Sequence, residues 1–203
     1  MTDSRLFHDG NRDLQDAFDS RRLADRLEEK LSRIAFTDGD REFIESAIYF
    51  FLATADGDGH PDCSFKGGPP GFVKVTGENE LAYPDYDGNG MFKSLGNASV
   101  NPHVGLLFID MHERPRRLRV NGTARILRDD PLLHVFAHSQ LIVRVTATAI
   151  FPNCPRYIPK LTLEAPSQYT PSPGQAPVEP AWKTFDSLKD TVPSRHPVWT
   201  GEG

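Results

Sequence analysis

The chain has 203 residues, of which 38% are hydrophobic and 13 are phenylalanine, with a formal net charge of −5. This length and composition are sufficient for one domain with a packed core plus extensions. The acidic balance argues against nucleic acid as a partner, because neutralising phosphates requires a basic face.

Three further observations limit where the protein works. No apolar run approaches the roughly 20 residues that cross a bilayer, so we expect no membrane partner. The first thirty residues are polar and charged, unlike a signal peptide. The two cysteines, Cys63 and Cys154, form neither a disulfide framework nor a zinc site. We therefore expect a cytoplasmic protein without a metal site.

Residues 1–46 are predicted to form a helical extension. Apolar side chains over residues 13–34 recur at helical spacing on one stripe, with charged side chains opposite, which predicts a single amphipathic helix. Thr37 or Asp38 is predicted to cap a second, short helix that runs through Ser46.

Residues 47–165 read as a series of short strands. Residues 48–55 are rich in β-formers, and the Asp-Gly-Asp-Gly turn that follows predicts a hairpin returning over residues 61–66. Further strands are predicted over residues 72–75, 81–83, 104–109, 117–124 and 141–150. A loop is predicted over residues 84–90 and a short helix over residues 91–100. At least six strands with few helices between them favour a mainly β antiparallel barrel with flanking helices over a doubly wound sheet.

Residues 166–203 are rich in Pro, Ser and Thr. This composition predicts an irregular tail that wraps a surface or is partly disordered.

Ser64, Phe65 and Lys66 are the first candidate site residues. In a strand, Ser64 and Lys66 point to one face and Phe65 to the other. A hydroxyl and an ammonium side by side can donate to the edge of a flavin ring, and the alternative is an exposed strand face with ordinary polar residues.

A second candidate site lies at Lys93 and Ser94. If a helix begins near Gly90 or Met91, its free N–H groups and dipole favour an anion, and Lys93 adds a positive charge in the first turn. This arrangement suits a phosphate group, although a helix start with a surface lysine explains the same residues. The spacing of a P-loop is absent.

Arg117 and Arg119 form a third candidate, on one face of a strand whose other face carries Leu118 and Val120. Two guanidinium groups at this spacing can bind a phosphate or support a reduced, anionic flavin. The alternative is a solvated face whose arginines pair with acids elsewhere.

Several sequence blocks in one order resemble the pyridoxamine 5'-phosphate oxidase-like, FMN-binding split-barrel family. The resemblance covers about residues 43–163 and rests on DGDGHPDCSFKGG, PGFV, YPDYDGNGMFKSLGN, NPHVGLLFID, RLRVNGTA and FPNCPRYI. It implies a homodimer of six-stranded antiparallel split barrels, with FMN in a cleft between the subunits.

The resemblance also implies roles for individual residues. Ser64, Phe65 and Lys66 would lie on the strand that faces the flavin. Lys93 and Ser94 match the segment that holds the FMN phosphate. The remaining matches are Asn97 on the same helix, Arg117 and Arg119 on a later strand, and Asn153, Cys154, Arg156 and Tyr157 in a late segment that borders the cofactor.

The resemblance implies an FMN-dependent oxidoreductase that acts on a small-molecule substrate or takes electrons from a reduced nicotinamide. Phe92-Lys93-Ser94 stands where the authentic oxidases carry Ser-Arg-Lys, and their C-terminal substrate signature is absent from the tail, so pyridoxamine 5'-phosphate is not the expected substrate. No catalytic acid or base is predicted. The alternatives are a non-enzymatic flavin-binding module and a related protein that uses a deazaflavin or haem.

Overall fold

The computed structural model describes residues 4–112 and 115–193, which form one antiparallel sheet with flanking helices. The strands are β1 (Tyr49–Ala55), β2 (Pro61–Gly67), β3 (Lys74–Val75), β4 (Glu80–Tyr86), β5 (His103–Asp110), β6 (Arg116–Leu127) and β7 (Ser139–Pro152). They are hydrogen-bonded in the order β2-β1-β5-β6-β7-β4-β3. The predicted mainly β class with an antiparallel sheet is confirmed, with the two-residue β3 added to six longer strands.

The sheet curls around one core. Phe50 of β1 packs against Tyr83 of β4 at 5.0 Å and against Phe108 of β5 at 5.2 Å between ring centres. β1 and β4 are not neighbours in the sheet, so this ring contact crosses the interior. Strands β2 and β3 remain as unpaired edges of the sheet among the described residues, which makes the barrel a split one.

Among the described residues, four α-helices accompany the sheet: α1 (Asp9–Ala17), α2 (Arg21–Leu31), α3 (Asp38–Ser46) and α4 (Lys93–Val100). Two short 3₁₀ turns cover Pro131–His134 and Ala181–Thr184. None of the helices in the described part of the chain is long and apolar enough to cross a membrane.

The prediction of a single helix over residues 13–34 is wrong. The chain breaks between α1 and α2, where Asp19 adopts a left-handed φ of 49°. The two helices fold back on each other, and the buried Arg12 of α1 pairs with Asp25 of α2 at 2.7 Å. The apolar stripe does not pack on the barrel, since Phe18 keeps 80% of its surface exposed.

The predicted cap of the next helix is confirmed. The Thr37 hydroxyl accepts a hydrogen bond from the Asp40 amide at 3.2 Å, and the Asp40 carboxylate accepts one from the Thr37 amide at 2.9 Å. This reciprocal capping box fixes the start of α3. Two backbone hydrogen bonds between Arg33 and Ile150 then join the helical extension to β7.

Two predicted boundaries near the candidate site are also wrong. Residues 84–86, predicted as a loop, belong to β4, because Asp85 and Tyr86 pair with β7 across a register shift. The helix predicted from Gly90 or Met91 begins at Lys93. Phe92 has a left-handed φ of 47°, and a residue in that conformation does not continue a right-handed helix.

The tail from residue 166 is irregular in its described part, with only the turn Ala181–Thr184. The irregular tail predicted over residues 166–203 extends beyond residue 193, and its residues 194–203 lie outside the described residues.

Candidate functional site

One row of side chains crosses the outer face of the sheet. Directly paired residues on adjacent strands share a face. Following the pairs from β2 to β7 gives the row Phe65, Phe51, Leu107, Arg119 and Phe151. The row places an aromatic patch at the β2 edge and an arginine three strands away, roughly 14 Å at the usual strand spacing.

The aromatic end of this row is a ledge of three rings. Phe65 stacks on Tyr49 with ring centres 5.4 Å apart and meets Phe51 edge-on at 5.9 Å. Phe65 is 62% exposed. A flat, exposed aromatic surface of this kind can receive a planar ring system or a second apolar surface.

Arg117 and Arg119 form the charged end. Both are half-buried, and neither makes an ion pair within residues 4–112 and 115–193. The Nε atom of Arg117 is buried without a hydrogen-bond partner. Burial, followed by the positive charge of Arg117, lowers the pKa of Arg119. Two half-buried cations that make no ion pair with the described residues are suited to bind an anion.

Arg119 is held in place by two neighbours. Its Nη1 atom donates a hydrogen bond to the side-chain oxygen of Asn153, and its guanidinium lies 5.9 Å from the centre of the Phe151 ring. The structure thereby brings together two of the predicted site residues, Arg119 and Asn153. The neighbouring guanidinium of Arg117 makes no ion pair within the described chain.

The prediction that Ser64 and Lys66 share a face opposite Phe65 is confirmed. Ser64 and Lys66 pair with the buried Leu52 and Phe50 and therefore face the inner side of the barrel. Phe65 alone belongs to the outer ledge. Any ligand that meets both faces of β2 has to approach its edge.

Helix α4 carries the second polar cluster. The buried Ser94 hydroxyl lies 2.9 Å from the Ser64 hydroxyl and 3.3 Å from a carboxylate oxygen of Asp62. Asn97 is also buried, and its amide donates to the hydroxyl of Thr54 at 3.1 Å. These contacts dock α4 on β1 and β2 and turn the Ser94 hydroxyl towards the barrel.

The start of α4 remains available to an anion. Its N-cap residue, Phe92, provides no side-chain cap, and Lys93 is exposed in the first turn, with its Nζ atom 3.3 Å from the Asn97 side-chain oxygen. The first N–H groups of a helix have no partner within the helix. Because the Asp62 carboxylate lies beside Ser94, an anion is repelled on that side and has to approach from the Lys93 side.

The positive charge of Lys66 acts on Asp85, an acidic residue of β4. Burial raises the pKa of Asp85, and the positive charge of Lys66 partly offsets that rise. Gln140 donates to the Asp85 carboxylate at 3.2 Å. The sequence did not point to Asp85 as a site residue, because its segment was predicted to be a loop.

The other predicted residues of the late segment do not join either cluster. Cys154, Arg156 and Tyr157 are exposed, and Tyr157 keeps 92% of its surface accessible. The Arg156 guanidinium lies 6.0 Å from the centre of the Tyr157 ring. Within the described residues, the α4 cluster and the arginine pair are likewise not linked by a hydrogen bond or an ion pair.

A shallow recess of about 410 Å³ adjoins the row on the outer face. Its lining includes three residues from the next row of the sheet, Ala53, Gly105 and Asn121. A period-2 reading of the strands places these residues on the same face as Phe65, but the sequence does not indicate which face is outermost.

Comparison with known proteins identifies the family. Residues 36–165 match the family model described as pyridoxamine 5'-phosphate oxidase. The match spans more than half of the chain, which therefore belongs to the pyridoxamine 5'-phosphate oxidase family. The resemblance inferred from the sequence blocks is confirmed.

Solved structures with a similar chain path share little sequence. A putative pyridoxamine 5'-phosphate oxidase from Lactobacillus delbrueckii is 21% identical, with a TM-score of 0.46 over 59% of this chain and 95% of that one. An FMN-binding protein from Syntrophomonas wolfei is 13% identical, with a TM-score of 0.42 over 70% of this chain and 97% of that one. HutZ, a haem storage protein from Vibrio cholerae, is 18% identical, with a TM-score of 0.40 over 52% and 85%. A search of curated proteins found no match.

Proposed function

We propose that this protein is an FMN-dependent oxidoreductase of the family. The observation that carries the proposal is the pair Arg117 and Arg119, half-buried on the outer face without an anionic partner in the described chain. Charge-assisted hydrogen bonds from two guanidinium groups suit a phosphate, and an anion there offsets the cost of their burial.

The outer face of the sheet also offers a surface for the flavin ring. The aromatic ledge around Phe65 lies in the same row as Arg119, at a distance that a flavin with its ribityl phosphate chain can span. FMN supplies hydride and electron transfer when bound, and the protein supplies binding, orientation and electrostatics. The arginine pair is assigned to the phosphate, and Lys66, on the opposite side of β2 from Phe65, is the cation at the ring end of this row.

A homodimer is part of the proposal, for two reasons. The outer face exposes an apolar surface around Phe65 and Phe51 that a second copy would cover. In addition, the two cationic elements, the start of α4 and the arginine pair, do not meet within one described chain. A two-fold dimer allows one cofactor to contact Lys93 of one subunit and Arg117 with Arg119 of the other.

The electron donor in this proposal is a reduced nicotinamide or a small organic substrate. Pyridoxamine 5'-phosphate is disfavoured because it needs a phosphate site in addition to that of FMN. Lys93, Arg117 and Arg119 are assigned to the cofactor, and Arg156 is exposed away from both clusters.

The absorbance spectrum of the purified protein tests the cofactor, and turnover tests the activity. The proposal predicts a flavin spectrum and oxidation of a reduced nicotinamide in the presence of an electron acceptor. A deazaflavin or haem spectrum would overturn the FMN assignment. A flavin spectrum without turnover on nicotinamides or amine substrates would leave a flavin-binding module and refute the enzyme.

A further inference from the structure

The C-terminal tail begins beyond residue 165, where the match to the family ends. Just before that point, the amide of Leu161 donates to the carbonyl of Met111 at 2.6 Å, and the carbonyl of Leu161 lies 3.2 Å from the His112 ring nitrogen. The chain then continues without regular structure to the turn Ala181–Thr184. The tail is thus attached to the barrel at its start, and its turn Ala181–Thr184 makes a second attachment.

Lys183 makes that second attachment. Its ammonium group pairs with the carboxylate of Asp87, 96 positions earlier in the chain, and with Glu179 at 3.1 Å. The Lys183 side chain is only 18% exposed. A lysine removed this far from water needs counter-charges, and the two carboxylates provide them.

Asp87 opens the loop that leads into α4. Residues 87–92 are all exposed, and two of the six are glycines. Inside the loop, the Asn89 side chain accepts a hydrogen bond from the Met91 amide at 3.0 Å. In the described chain, the contact with Lys183 is the only ion pair or hydrogen bond that ties this loop to a distant residue.

The loop needs an anchor because it ends in an unfavourable conformation. Gly90 has a φ of 74°, and the non-glycine residue Phe92 has a φ of 47° immediately before α4. A bulky residue in the left-handed region persists only where its surroundings hold it. Phe92 is itself exposed and lacks a side-chain cap, so its surroundings provide little support.

We propose that Lys183 is a positioning residue for the cofactor site: it anchors Asp87 and thereby fixes the loop that orients the first turn of α4 and Lys93. The C-terminal tail acts as a strap across the barrel. The proposal rests on the assigned role of Lys93 in FMN binding, whereas its effect on the loop can be measured without any cofactor.

The expected effect on affinity follows from the population of the ordered loop. Without the strap, the loop samples conformations in which Lys93 is misplaced, and the apparent dissociation constant rises by the inverse of the competent fraction. A competent fraction between about a tenth and a third raises the dissociation constant for FMN about three- to tenfold. The limiting turnover rate changes less, since Lys183 does not contact the reacting atoms.

The test compares three full-length variants. Lys183→Ala removes the anchor, and Lys183→Arg retains its charge and reach. Lys189→Ala is the matched control: Lys189 lies in the same tail and pairs with Asp186 at 2.7 Å in an exposed i,i+3 pair. Hydrogen exchange is followed in a peptide covering residues 91–98, where the bond from the Gly96 amide to the Phe92 carbonyl, 2.7 Å long, reports on the start of α4.

The proposal predicts faster exchange at residues 91–98 and weaker FMN binding for Lys183→Ala alone, with Lys183→Arg close to the wild type. Unchanged exchange in Lys183→Ala would overturn the strap, whatever the cofactor. Faster exchange with unchanged FMN affinity would leave a structural strap and overturn the positioning role. If the wild type binds no FMN, the proposed function fails, and the exchange result still decides the anchor.

Discussion

Replacing Arg117 by methionine separates a binding cation from a structural one. Methionine keeps the aliphatic stem that packs on the sheet and removes only the guanidinium. Arg117 has a buried Nε without a partner and no ion pair in the described chain. Within the described residues its loss therefore breaks no ion pair, whereas FMN loses one charge-assisted interaction.

Arg117→Met is expected to affect the stability of the apo-protein and the affinity for FMN in opposite directions. Arg117 and Arg119 are two residues apart on β6, about 7 Å along a strand, where like charges repel by about 0.5–2.5 kcal/mol between the dielectric limits of water and a protein surface. Apo-protein stability is expected to stay the same or rise by up to that amount. Loss of a charged hydrogen bond to FMN costs about 1.5–3 kcal/mol, which weakens binding about ten- to 150-fold.

Flavin fluorescence titration gives the affinity, and thermal or urea unfolding of the apo-protein gives the stability. Arg125→Met is the matched control, because Arg125 lies on the same strand and pairs with Glu80 at the surface at 3.1 Å. The Arg125→Met variant is expected to lose at most about 1 kcal/mol of stability and to keep the wild-type affinity for FMN. If Arg117→Met destabilises the apo-protein by several kcal/mol and binds FMN normally, the reasoning is refuted.

Four further outcomes are expected. Lys93→Ala should weaken FMN binding on the order of ten- to a hundredfold without lowering the melting temperature of the apo-protein, because Lys93 is exposed; a lower melting temperature would make it structural. Light scattering at low micromolar concentration should give a mass twice the 22.7 kDa of one chain. The Phe65→Asp variant should lower the measured mass towards that of a single chain, because Phe65 lies on the exposed apolar face. A variant that remains a dimer would exclude the Phe65 face as the interface. Hydrogen peroxide release from FMN-loaded protein with pyridoxamine 5'-phosphate should stay far below about one per second, and turnover near that rate would reverse the substrate assignment. The hydrogen bonds from Arg144 lower the pKa of Asp130 in the folded state. The stability that Asp130 contributes is therefore present above its pKa in the unfolded state and is lost as the pH falls below about 4. An Asp130→Asn variant with the same acid unfolding curve as the wild type would contradict this.

The sequence was a better guide to which side chains share a strand face than to where helices and strands begin and end. Alternation along β2 and β6 correctly separated Phe65 from Lys66 and Arg117 from Leu118, because the period of a strand is fixed by its backbone. The apolar stripe over residues 13–34 predicted helix correctly but not the break at Asp19, where no glycine or proline marks it. Helical periodicity continues across a turn when both helices present apolar faces.

The contacts that define the candidate site arise from tertiary packing. The late start of α4 depends on the left-handed conformation of Phe92, which local propensity disfavours. The pairing of Lys183 with Asp87 joins residues 96 positions apart, and no local pattern indicates it. The inward turn of Ser94 towards Ser64 and Asp62 likewise becomes visible only when the helix docks on β2.

A paired titration of the apo-protein with FMN and riboflavin tests the central claim most directly. The two ligands share the ring and differ in the phosphate assigned to Lys93, Arg117 and Arg119. With charge-assisted contacts worth about 1.5–3 kcal/mol each, FMN should bind at least about tenfold more tightly than riboflavin, at one site per subunit. Equal affinity for the two ligands would contradict the phosphate site and with it the assignment of the cofactor.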